Sequence, residues 1–181
     1  VIVPFPAGGT SDIMGRMAAD ALSKEFGQQF IVENIGGAGG TIGTARAAKM
    51  PADGYTLVLT GVGSNAVAHG LDPKLAYDSN KDFVHINQIH SGPNVLVVHP
   101  SMPVKSVAEL ITLAKSRPGD ILYSSGGSGS ASHLAAELFR STAKINLVHV
   151  PYKGGGPAGT AAMAGETHML ITNMASLLPH V

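Results

Sequence analysis

Three times along this chain a short apolar run ends in a loop of glycine and serine that leads straight into residues with helical spacing. The loops are Pro6-Ala7-Gly8-Gly9-Thr10-Ser11-Asp12, Gly61-Val62-Gly63-Ser64-Asn65, and Ser124-Ser125-Gly126-Gly127-Ser128-Gly129-Ser130-Ala131-Ser132-His133. A chain built this way is committed to strands alternating with helices, because parallel strands need a crossover and a helix supplies it. In open sheets of that kind, ligands sit beyond the carboxyl ends of the strands, where the first-turn amides of the following helices lack intrahelical partners.

The rest of the sequence fits the same α/β plan. Residues 1–3 read as a strand, and Ile13, Met14, Met17, Ala18, Ala21, Leu22 and Phe26 recur on one face of a helix. Strands are expected at residues 30–32, 55–60 (buried), 83–89, 94–99, 121–124, 146–150 and 168–172. Helices are expected at 42–49, 64–70 and 158–164, with one bearing Val107, Leu110, Ile111 and Ala114 and another running through Leu134, Leu138 and Phe139. Residues 36–40, 72–81 and 152–157 read as loops. Pro100-Ser101-Met102-Pro103 breaks the chain, which divides it into a first lobe at 1–99 and a second at 100–181. The opening Val1-Ile2-Val3 carries no initiator Met or leader, and the ending at Val181 has no polar tail. A partial chain, with both lobes incomplete, is therefore expected.

Composition removes several classes of function. Among 181 residues, 12 Lys and Arg balance 12 Asp and Glu and only 13% are charged, so no nucleic-acid partner is expected. No run approaches the roughly 20 apolar residues of a bilayer span, so no direct membrane insertion is expected either. With no cysteine there is no disulfide, thiolate nucleophile or cysteine-bound metal. The one literal G-x-G-x-x-G, from Gly154 to Gly159, has Asn173 and Met174 where a nucleotide site needs an acid, and no cofactor is expected. The eight histidines form no H-x-x-x-H pair, so no metal site is expected.

Two chemical readings of the loops remain. Backbone amides, hydroxyls and the helix dipole could cradle a carboxylate without any arginine. On this reading Asp12 is a cap or a partner for a ligand ammonium or hydroxyl, and His133 is a donor beside the last loop. The alternative is a hydrolase using Ser128 or Ser130 with His133. Against it, the final glycine of G-x-S-x-G is missing, and the adjacent Ser132 and His133 diverge by about 100° on a helix.

The motifs Pro4-Phe5-Pro6-Ala7-Gly8-Gly9-Thr10-Ser11-Asp12, Val32-Glu33-Asn34, Gly37-Ala38-Gly39-Gly40-Thr41-Ile42-Gly43 and Ala52-Asp53-Gly54-Tyr55-Thr56-Leu57 occur in that order. They are followed by Gly126-Gly127-Ser128-Gly129-Ser130-Ala131-Ser132-His133-Leu134 and Val150-Pro151-Tyr152-Lys153-Gly154. Together they resemble the substrate receptors of tripartite tricarboxylate transporters, also called Bug receptors, over essentially the whole chain. The resemblance implies a two-lobed periplasmic binding protein, type II-like, closing like a clam shell on a small organic carboxylate: a di- or tricarboxylate, an acidic amino acid or an aromatic acid. It implies no enzymatic activity, a periplasmic location, and membrane transporter subunits as partners. Carried over by position, Phe5, Ala7, Gly8, Gly9, Thr10, Ser11 and Asp12 would hold one carboxylate through backbone and water contacts, with Gly63, Ser64 and Asn65 lining the same lobe. Ser125, Gly126, Gly127, Ser128, Gly129, Ser130 and His133 would receive the far end, with Tyr152 and Asn173 at the rim. The family commonly has Arg-Pro after Glu-Asn, where this chain has Ile35-Gly36.

Overall fold

The computed structural model describes residues 1–177, so His180 and the last residues of the expected second lobe lie outside the described residues. The first half is built on β1 (Ile2–Val3), which pairs in parallel with β2 (Glu33–Asn34). On its other side, Ile2 N donates to Leu57 O at 2.8 Å and Leu59 N donates to Ile2 O at 2.9 Å, giving a single bridge to Val58. Helices α1 (Thr10–Phe26) and α2 (Thr41–Ala48) pack on this small sheet, and Val3 is fully buried beneath them. A π-helical turn at Gly63–Val67 continues into the short α3 (Ala68–Leu71).

The second half holds the larger sheet. Its strands β3 (Asn94–Val98), β4 (Leu122–Ser125), β5 (Val148–Pro151) and β6 (Met169–Asn173) lie in the order β3-β6-β4-β5, with only the β3–β6 pair antiparallel. Helices α4 (Val107–Ser116), α5 (Ala131–Ala143) and α6 (Gly155–Met163) cross between the strands. Successive side chains of β6 point to opposite faces, and both faces are covered. Met169 and Ile171 join Leu110, Ala114, Tyr123, Ala136 and Leu147 on one side, while Leu170 packs with Ala158 and Ala162 on the other.

The expected alternation holds, and the departures follow the supply of strand partners. Residues 55–60 are reduced to the bridge at Val58, and Tyr55 is 91% exposed rather than buried. Residues 83–89 join no ladder, and their alternating Val84 and Ile86 stand 91% and 80% exposed. The strand expected at 30–32 pairs instead at Glu33–Asn34, and α6 begins at Gly155 rather than Ala158. In the 72–81 loop, Tyr77 and Ser79 are buried. Strand β3, placed in the first lobe by a division after residue 99, belongs to the larger sheet because β6 offers it a five-residue antiparallel register. No helix among the described residues is long and apolar enough to cross a membrane.

Candidate functional site

Residues 4–9 carry β1 into α1. No side chain caps Gly9 at the start of the helix. Instead Asp12, buried in the first turn, reaches back: its Oδ2 accepts from Gly8 N at 2.9 Å and from Arg16 Nε at 3.1 Å. Its Oδ1 accepts from Asn34 Nδ2 at 2.9 Å and pairs with Arg16 Nη2 at 3.0 Å. Asn34 Nδ2 also donates to Phe5 O at 3.0 Å, tying β2 to the turn. Burial pushes the Asp12 carboxyl up, but the hydrogen bonds from Arg16, Gly8 and Asn34 outweigh it and hold the group below its ordinary value. Both oxygens are thus engaged inside the protein, and Asp12 braces the turn rather than offering itself to a ligand ammonium. Ala7 and Gly8 are exposed at the tip of the turn, Gly9 is buried, and Thr10 and Ser11 are half-buried.

In the second turn, Ser64 is buried, shares a hydrogen bond of 2.7 Å with Thr60, and accepts from the Tyr77 hydroxyl through its carbonyl. Asn65 N donates to Gly61 O at 2.8 Å, while Asn65 Oδ1 is buried without a hydrogen-bond partner. The third turn is knitted more tightly. Gly126 N donates to Ser132 Oγ (2.9 Å), Gly127 N to Ser125 Oγ (3.1 Å), Gly129 N to His133 Nδ1 (3.1 Å) and Ser130 N to Gly127 O (3.1 Å). Ser130 caps α5 by accepting from His133 N. Serine and histidine side chains pair the Gly126, Gly127 and Gly129 amides and the Gly127 carbonyl pairs that of Ser130, so these four are engaged within the turn. What these residues fix is the shape of the turn.

The turns from the two halves meet. Gly39 and Gly63 lie so close to the carbonyls of Ser128 and Gly129 that a side chain on either would collide with them. A Cβ on Gly9 would stand 3.6 Å from the Gly156 amide nitrogen at the start of α6. Cavities open on both sides of this seam. One of about 490 Å³ is bordered by Ala7, Gly8, Tyr152, Gly156, Thr160 and Glu166. The other, about 330 Å³, is bordered by Gly39, Gly63, Asp72, Ser128, Gly129 and His133. No Lys or Arg lines either cavity; the charged linings are Glu166, which accepts from Tyr152 Oη at 3.1 Å, and Asp72. Of the residues expected at the site, Ala7, Gly8, Gly63, Ser128, Gly129, His133 and Tyr152 border a cavity, while Phe5, Gly9, Asp12, Ser64, Ser125 and Ser130 support the turns. Asn173 borders neither cavity; it caps the turn after β6 by accepting from Ala175 N. Sequence reasoning passed over Gly39 and the turn at 154–156. The latter carries the signature of the other three, glycines between a strand and a helix, and its Gly154 belongs to one of the family motifs.

The hydrolase arrangement is not assembled. His133 Nδ1 is occupied by the Gly129 amide, and the Ser130 hydroxyl meets Ser132 Oγ and a backbone amide rather than the imidazole. Ser125 does meet an imidazole, His149 Nε2 at 2.6 Å, but its hydroxyl is wholly buried and no substrate carbonyl could reach it.

Comparison with known proteins identifies the family and the fold. The model of the tripartite tricarboxylate transporter family receptor matches residues 14–181. Protein BugT of Bordetella pertussis is 41% identical over 184 residues, an alignment that covers all of this chain and 56% of BugT. Among solved structures, the R. palustris protein Rpa4515 with adipate superposes with a TM-score of 0.94 at 37% identity, covering 98% of this chain and 60% of that one. MatC from Rhodopseudomonas palustris with bound malate gives 0.92 at 31% identity, covering 98% and 61%. The chain therefore spans little more than half the length of such relatives. With ordered motifs, fold and glycine seam in agreement, the chain belongs to the tripartite tricarboxylate transporter receptor family, whose members bind solutes rather than transform them.

Proposed function

We propose that this chain is the ligand-gripping part of a periplasmic solute receptor that takes a small dicarboxylate between its two halves and delivers it to membrane transporter subunits. The observation that carries the reading is the seam: glycine-rich turns from the two halves, each leading into a helix, face one another beside cavities lined by no Lys or Arg. Helix starts favour negative charge, and small residues let a ligand approach the main chain closely. Relatives solved with adipate and with malate support a linear dicarboxylate as the ligand. Neutral His133, with Nδ1 occupied as an acceptor, carries its proton on Nε2 and adds a donor at the border of one cavity.

Calorimetry on the full-length receptor against adipate, malate, citrate, glutamate and benzoate tests the reading. Saturable binding of a dicarboxylate is expected, and silence across the panel overturns it. Glutamate belongs in the panel because Glu166 and Asp72 are the charged groups on the cavity walls and would favour a ligand that also bears an ammonium.

A further inference from the structure

Beneath the third turn lies a stack of rings that the ligand reading does not use. Tyr123 of β4, His149 of β5 and His133 of α5 lie nearly parallel, with centroids 4.8 Å apart for Tyr123–His149 and 4.2 Å for His149–His133. Each imidazole holds one part of the turn. His133 Nδ1 accepts the Gly129 amide, so it carries no proton there. His149 Nε2 bonds the Ser125 hydroxyl, which in turn receives the Gly127 amide. Resting on the reading of this turn as part of the ligand grip, we propose that the His133–His149 stack positions residues 126–130: the turn keeps its shape while His133 is neutral, and protonation of that ring releases it.

The argument is one of hydrogen-bond valence. A backbone amide can only donate, so a protonated Nδ1 would set two N–H groups head to head and the Gly129 bond would be lost. The titratable groups around the pair are Tyr123, Glu137 and, on the cavity that His133 borders, Asp72. Tyr123 lies on the far side of His149, and Glu137, the nearby carboxylate on α5, is already taken by Tyr123 Oη at 2.5 Å and by Arg140 at 2.6 Å. Burial, and then the charge of a protonated His133, push the His149 imidazole below its ordinary value, with Glu137 acting weakly the other way. His149 is a positioning residue, acting through the backbone of the turn; His133 acts in the same way and also borders the cavity.

The test begins with the ligand-free full-length receptor, so that it does not depend on the ligand reading. Its backbone and imidazole resonances are followed between about pH 8 and 5, where histidine titrates. The Gly129 amide should move with the same midpoint as the His133 ring. His133→Gln keeps an acceptor but has no proton to gain, and should leave Gly129 unmoved over that range. Malate affinity should then fall by up to about tenfold per pH unit below the His133 midpoint in the native receptor. In the variant it should follow only the titration of malate itself. A Gly129 amide that stays still while His133 titrates overturns the brace, whether or not malate binds. Failure of every acid to bind at any pH would overturn the receptor reading instead, while the Gly129 resonance would still judge the brace.

Discussion

At the scale of single residues, the most connected group in the first turn is Asp12. Its pattern recurs elsewhere: Glu109, in the first turn of α4, accepts from Lys105 N at 2.7 Å just as Asp12 accepts from Gly8 N, each side chain reaching four residues back to fasten the approach to a helix. Replacing Asp12 with Asn keeps the size but removes the charge, and should cost about 1–3 kcal/mol of unfolding free energy in urea titration. The ion pair alone would count for little, since Arg16 is more than half exposed. Because the folded-state pKa of Asp12 lies below its ordinary value, its contribution is complete above about pH 4 and is lost as pH falls through the lowered pKa. His149 has the same sign on a different limb. Its neutral form is favoured by folding, so stability holds above about pH 6.5 and declines as pH drops through its depressed pKa, because the unfolded chain binds that proton first. Stability curves for the native protein and for His149→Phe should separate below about pH 6.5, with the variant the flatter. The sequence placed Asp12 in the right turn but left its role between cap and ligand contact. Spacing cannot show that Arg16 and Asn34 converge on the same carboxylate.

At the scale of elements, helical periodicity was legible, and caps and strand partners were not. Ser106 caps α4 by accepting from Glu109 N, and Ser106→Ala should cost about 1 kcal/mol in thermal or urea unfolding without altering the glycine seam. Helices α1, α2, α4 and α5 lie close to where apolar spacing put them because a helix satisfies its own backbone. A strand does not. Residues 83–89 have the alternation of a strand, and nothing among the described residues pairs with them. In a chain carrying the length that relatives have beyond this one, the amides of residues 83–89 should exchange with solvent far more slowly than in residues 1–181 alone. Equal exchange in both would mean that this row stays open.

At the scale of the whole molecule, glycines of the two halves meet main chain at Ser128 and Gly129, with Pro6 and Leu71 side chains against Gly154 and Gly129. Gly63→Ala puts a methyl group into the Gly129 carbonyl and should hold the halves apart. Malate or adipate affinity, measured by calorimetry, should fall by about tenfold or more, corresponding to at least about 1.4 kcal/mol, while each half keeps its own fold by circular dichroism. The meeting of the turns was implied by the family resemblance, which sets both lobes around one ligand. Their near-contact was not, since the length of the gap depends on where each sheet sits. Where these glycines meet main chain, there is little oily surface to squeeze out of water, so little glue is built into those points. An empty receptor would gape at small cost, and the cargo would be its clasp.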